Sequence, residues 1–339
     1  MALIPLYGIS LADLLAEPTL WIGDIATNLL DAVFRRLTKE QQAVLRALSV
    51  YRTIVPVAAL KPFLPGSSLQ QILVSSRSLL IQRLIQPAGN GCYQVHAVVG
   101  RYVQTHFVEG DQQANQQALR AAHATAVHYY LDQTQTTTLP HEQRRRITDI
   151  QGIIEAVWQY TQAAQWQEAY ALMEQEGVLP NLLIWGGNIL LLDLCQWFLP
   201  QREWQPEPKQ VITIYVYLGL ASSTLGNKQQ ALDYFQQALV LSREGGDRGG
   251  EGSTQWNIGA LALTQHQYDL ALAAFLLARH CFEEVSSPQQ HQIEAWIDAL
   301  RQEIGKKRFA VLQARVELQS QQIFEQVLHD WQAQHEEEE

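Results

Sequence analysis

Apolar positions along this chain recur mostly at helical spacing, and strand signals are scarce. Three segments open with a hydroxyl followed three residues later by an acid or amide: Ser10-Leu-Ala-Asp13, Thr38-Lys-Glu-Gln41 and Ser68-Leu-Gln-Gln71. Each is a capping-box pattern, in which two orphan backbone donors are satisfied reciprocally, and each precedes an apolar helical stripe. The first complete block of elements runs from about residue 38 to 107. It predicts helices at 38–50, 56–63 and 68–84, then two short alternating segments at Leu84 and Cys92. A Pro87-Ala-Gly-Asn-Gly91 turn joins those segments, and a further helix passes through Val98, Tyr102 and Phe107. Three helices and a β-hairpin in this order predict a winged helix. From Asp111 onward everything reads helical, with an Ala118, Ala122, Ala126, Tyr129 stripe and a solvated connector at His141-Glu-Gln-Arg-Arg-Arg146. The apolar run 182–200 is interrupted by Gly186, Gly187, Asn188 and Asp193, so it predicts a buried helix pair rather than a membrane span.

An internal repeat is the main organisational signal. Gly219, Ala231, Phe235 and Ala238 recur as Gly259, Ala271, Phe275 and Ala278, an offset of 40 at every position. The small residues let the two helices of a hairpin approach closely, and each Phe fills the space between hairpins. A weaker copy places Trp166, Ala169 and Met173 on the positions of Tyr268, Ala271 and Phe275. The segment Glu244-Gly-Gly-Asp-Arg-Gly-Gly-Glu251 reads as a long loop that stretches the repeat.

These residues resemble tetratricopeptide repeats, with departures. Ser222 and Ala262 stand where an aromatic residue is usual, the terminal Pro is missing, and the period is 40 where about 34 is ordinary. Leu37 to Val50, Ser78-Leu-Leu and Tyr93-Gln-Val-His96-Ala97 in turn resemble the winged helix of STAND (NB-ARC or AP-ATPase-like) bacterial signalling proteins. The resemblance implies four segments: 1–36 as the end of a helical domain, 37–110 as the winged helix, 111–205 as a helical linker with a degenerate repeat, and 206–330 as repeats with C-terminal capping helices. The fold class is then all-α: a winged-helix domain with one small β-hairpin, followed by an α-α superhelix of tetratricopeptide-like repeats.

Composition narrows the chemistry. The chain has 339 residues and a net charge of −10, with 34 acidic and 24 basic side chains, which argues against a general binder of nucleic acid or anionic membrane. Cys92, Cys195 and Cys281 are odd in number and far apart, which indicates neither a disulfide scaffold nor a zinc site and fits a cytoplasmic protein. No GxxxxGK[ST] occurs; before Gly305-Lys-Lys, Leu300 stands where the first Gly belongs. The phosphate cradle of an NTPase is therefore missing, and the chain resembles the C-terminal part of a STAND protein without its engine. HExxH and GxSxG are absent, and Cys195 reads as core. No catalytic residue, metal site or cofactor is expected.

Two binding readings remain. In the resemblance, His96 corresponds to the His of the MHD motif, which contacts bound ADP in that family; here Val95 and Ala97 replace its Met and Asp. On the repeats, Thr213, Val216, Leu220, Ser223 and Thr224 are expected to line a concave groove with Ser253, Trp256, Ala260, Leu263 and Thr264. That face is uncharged and suits an apolar helix or peptide. The alternative is that helices at 288–304 and 308–330 fold back and fill it. The expected function is a non-enzymatic interaction and regulatory module. Its repeats bind a protein or peptide, and its winged helix packs on an NTPase core from another chain. The competing reading is a transcription regulator with 68–84 as recognition helix. That helix offers only Arg77 and Arg83 to phosphates.

Overall fold

The computed structural model describes residues 24–108, 111–137, 139–201 and 203–336. The Ser10–Asp13 box lies outside them, as does most of the segment 1–36. Two compact units emerge: residues 1–144 with 149–173, and residues 145–148 with 174–339.

The first unit begins with α1 (Asp24–Phe34) and α2 (Lys39–Ser49), followed by β1 (Val55–Pro56) and a 3₁₀ turn (Val57–Phe63). Next come α3 (Leu69–Ile81), β2 (Ile85–Pro87), β3 (Cys92–Val95) and α4 (Ala97–Thr105). The two expected capping boxes within the described residues form. Thr38 Oγ1 accepts from the Gln41 N–H at 3.2 Å while Gln41 Oε1 accepts from the Thr38 N–H at 2.9 Å, and Ser68 and Gln71 repeat the exchange. The hairpin pairs Ile85 with Val95 and Pro87 with Tyr93. A third strand, unforeseen at two residues, adds Val55 opposite Tyr93, giving the order β1-β3-β2.

Two long helices complete this unit: α5 (Gln112–Thr137) and α6 (Gln151–Gln162), with α7 (Trp166–Gln175) following. The alanine stripe of α5 explains its place: Ala122, Ala126 and Tyr130 are buried in one core with Leu45, Leu48, Ile72, Leu79 and Val103. Tyr51 sits at the centre, its hydroxyl donating to the Ala59 carbonyl at 2.9 Å and its ring edge-on to Phe63, Tyr129 and Tyr130. Gln159 of α6 donates to the Val50 carbonyl at 3.1 Å, and buried His123 meets Gln159 Oε1 at 2.7 Å. The connector after α5 is not fully solvated, because Arg144 is buried and its Nε donates to the Leu139 carbonyl at 2.8 Å.

The second unit opens with the helix pair expected for 182–200, α8 (Val178–Ile184) and α9 (Asn188–Trp197), broken at Gly186–Gly187. Then four helices of 17 residues follow at strict intervals: α10 (Pro208–Thr224), α11 (Lys228–Glu244), α12 (Arg248–Thr264) and α13 (Tyr268–Glu284). Each ends at a left-handed residue: Gly226, Gly246, His266 or Ser286. The long loop expected at 244–251 is therefore not there. Only Gly245 to Asp247 separate α11 from α12, and the additional residues of the period lie in the helices. The cause is a cap: Asp247 Oδ1 accepts from the Gly250 N–H at 2.9 Å and starts the helix across two glycines.

The repeated small residues act as the periodicity requires. A Cβ on Gly219 would overlap the Phe235 ring, and one on Gly259 would stand 2.6 Å from Phe275. Phe235, Phe275, Ala231, Ala238, Ala271 and Ala278 are all buried. Each phenylalanine contributes about 1.5–3 kcal/mol by leaving water. A further hairpin, α14 (Gln290–Ile304) and α15 (Lys306–Val316), leads into α16 (Ser320–Glu336). The helix expected at 308–330 is thus two helices, parted at Glu317–Gln319.

Candidate functional site

The first helices of the repeats, α10 and α12, carry the residues expected to line a groove. Thr213, Val216, Leu220 and Ser223 are half-buried, as are Ser253, Trp256, Ala260 and Leu263. Thr224 and Thr264 are exposed at the helix ends. The two sets are related by the repeat offset, so equivalent positions have equivalent exposure. None carries a charge. Three threonines donate back to their own helix, Thr213 to Lys209, Thr224 to Leu220 and Thr264 to Leu261. With those protons engaged the three threonine hydroxyls offer acceptors only, and the rest of the face is Ser223, Ser253 and apolar side chains.

Trp256 stands edge-on to Trp296 of α14 at 6.4 Å and to Phe282 of α13 at 6.3 Å. Trp296 also meets Phe275 at 5.9 Å and remains 36% exposed. Trp296 was missed in the sequence reading although it lies one offset of 40 beyond Trp256.

The C-terminal helices do not run as a single fill of this face. α16 lies along α13, with Phe324 and Leu328 in the repeat core, and Glu325 pairs with Arg243 of α11 at 2.9 Å. Both α11 and α13 are second helices of their hairpins. Beneath the groove helices lies an ionic cluster. Buried Glu251 accepts from Arg243 Nε at 3.0 Å and from Gln255 Nε2 at 3.1 Å, and pairs with Arg248, which in turn pairs with Glu284. Cys281 faces Gln255 Oε1 at 3.5 Å, and burial pushes its thiol up to about 11. Cys195 is fully buried and its thiol is raised by desolvation. Neither thiol is poised to ionise near neutrality.

In the first unit His96 is the N-cap residue of α4, and burial holds its imidazole below its ordinary value. It lines a pocket of about 570 Å³ with Arg52, Arg101, Gly100, Gln104 and Trp158. Arg52 stacks 4.8 Å above the Trp158 ring and pairs with buried Glu155 at 2.8 Å. Arg52, Arg101 and Trp158 did not come to notice in the sequence because they lie far from His96 along the chain or in a run with no motif. On α3, by contrast, Leu69, Val74 and Ile81 are exposed and Arg77 is the helix's one cation. Arg83 falls after its end. Such a face has little with which to hold phosphates.

Among the described residues no helix is long and apolar enough to cross a membrane, and no three His, Cys, Asp or Glu gather as metal ligands.

Residues 210–284 match the tetratricopeptide repeat family. That span is α10 to α13, and the fold is all-α with a small sheet and tetratricopeptide-like repeats. No curated protein matches the chain. Among solved structures it is similar to a crystal structure of a Signal Transduction ATPase with Numerous Domains (STAND) protein with a tetratricopeptide repeat sensor, from Pyrococcus horikoshii. The TM-score is 0.32 and the identity 13%, over 92% of this chain and 54% of that one. The chain thus spans about half the length of that protein.

Proposed function

We propose that the chain is a cytoplasmic, non-enzymatic interaction and regulatory module. Its repeats capture a neutral, apolar protein segment, and its winged helix, with the sheet order β1-β3-β2, packs on a P-loop NTPase core carried by another chain. The observation that carries the first part is the repeat match together with an uncharged first-helix face running through Val216, Leu220, Trp256 and Leu263. Tetratricopeptide repeats are protein-interaction modules, and an uncharged lining selects an apolar segment over a charged tail. The NTPase partner rests on the resemblance of residues 37–97 to the STAND winged helix. An affinity capture from the cells that make the protein tests both parts, with wild type beside Leu220→Glu with Trp256→Ala. A partner held by wild type and lost in the folded double variant supports the groove. A P-loop in that partner or in a co-captured chain supports the second part. Equal capture by both proteins overturns the groove.

The pocket at His96 supports a second, independent reading, a retained nucleotide contact. The Arg101 guanidinium and the N-terminus of α4 offer positive charge to a phosphate there, beside the His96 imidazole and Arg52, which is paired with Glu155. Calorimetry with ADP and ATP tests it. Binding heat that disappears in His96→Ala is expected; no heat with wild type ends this reading.

A further inference from the structure

The second helices of the two repeats occupy equivalent places and carry different outer faces. Gln230, Asp233, Gln236 and Gln237 of α11 become Leu270, Ala273, Leu276 and Leu277 of α13, forty residues on. On α11, Gln230, Asp233 and Gln237 are exposed; on α13, Leu270, Ala273 and Leu276 are buried. The helix lying along α13 is α16, which puts Phe324 and Leu328 into the core with Ile323 against it. Arg243 takes Glu325 of α16 at 2.9 Å, and Asp269 of α13 takes Arg315 of the preceding helix α15.

We propose that the outer face of α13 is a helix-docking surface, occupied by α16, whose partner in trans is an amphipathic helix of the same pattern. That pattern is two adjacent apolar residues, a carboxylate next, and an apolar residue three further on, as in Ile323, Phe324, Glu325 and Leu328. Two observations make α16 detachable. It hangs from α15 by Glu317 to Gln319, where Leu318 is 87% exposed. Its Glu325 pairs with Arg243 at a partly solvent-exposed place, and such pairs contribute about 0–1 kcal/mol. The recognition is by side chains on one face, so it does not depend on the connection to α15. A partner helix must then outcompete a tethered one, whose effective concentration is on the order of millimolar. The surface is separate from the first-helix groove, so it stands or falls apart from the proposed function.

The test uses the full chain and a labelled peptide of residues 318–336. Phe324→Asp with Leu328→Asp in the chain frees the face. Fluorescence anisotropy should show the peptide binding this variant at least about a hundredfold more tightly than wild type, because the competing helix no longer occupies the site. Leu220→Glu should leave that binding unchanged. Equal affinity for wild type and variant, or no binding to a variant that keeps its helical circular dichroism, would overturn the proposal. If the variant does not fold, hydrogen exchange on wild type decides. Peptide above the tethered concentration should raise exchange in residues 320–328 and leave α13 protected; unchanged exchange contradicts the docking.

Discussion

The two repeats share one backbone plan and differ in what lies on it. In both, a glycine of the first helix receives a phenylalanine from the second, and both hairpins turn through a left-handed residue at the same place. The inner contact is therefore common property of the repeat, set by volume. The outer face is not. α11 shows Asp233 and Gln237 to water, whereas α13 hides Ala273 and Leu276 under a further helix. A repeat match alone reports the common plan. The departures from it report where this particular chain places additional contacts.

The largest effect should come from exchanging the outer residues. Ala273→Asp puts the first repeat's residue into the second and strands a carboxylate in a buried site, at a cost of about 3 kcal/mol or more. The reciprocal Asp233→Ala, at an exposed position, should stay within about 0.5 kcal/mol. Urea unfolding of both variants measures the difference; similar losses would erase the contrast drawn between the faces. Next come the shared glycines. Gly219→Ala and Gly259→Ala should each cost about 1–3 kcal/mol by overpacking. The first should lose at least as much as the second, because its Cβ would stand closer to the Phe235 ring than the 2.6 Å that separates the second from Phe275. If either variant is as stable as wild type, the close approach is not required. Smaller still is Trp256→Ala, half-buried on the groove face, expected to cost under about 1.5 kcal/mol in stability while removing partner binding.

A pH trend, the smallest of these, separates the repeats from the first unit. Burial lowers the pKa of His123, whereas His266, His280 and His291 of the second unit are exposed. The unfolded chain binds a proton at this imidazole below about pH 6.5, and the folded chain does so only at a lower pH. Stability of the first unit should therefore fall as pH drops below about 6.5, down to the depressed folded pKa. His96, lowered by burial in the same unit, adds to that slope, so His123→Gln should reduce it in acid denaturation; an unchanged slope assigns it elsewhere.

Local patterns made much of this fold legible. The capping residues Thr38 and Ser68, the Pro87–Gly91 turn and the repeat offset of 40 each follow from short-range chemistry, and each is present. Failures came where a local signal met a stronger neighbour. Gly245 to Gly250 reads as loop because glycine weakens helices by about 1 kcal/mol. Yet Asp247 caps the helix, and Gly252 faces Cys281 and Phe282 at distances that exclude a side chain. Strand β1 is two residues long and has no periodicity to detect. The positions on α10 and α12 proposed to line a groove were chosen from the repeat register alone, and they share equivalent exposure in the two repeats. The neighbours of His96 required Trp158 to come from another helix, and no spacing rule links them.

The central claim is that the first-helix face of the repeats holds a protein segment, and photo-crosslinking tests it most directly. A benzoylphenylalanine placed at Leu263, half-buried on the proposed groove face, is compared in living cells with one at Val240, exposed on the outer side of α11. The account predicts a discrete protein adduct from position 263 that Leu220→Glu abolishes, and none from position 240. Adducts from position 240 alone, or from position 263 undiminished by Leu220→Glu, would contradict it.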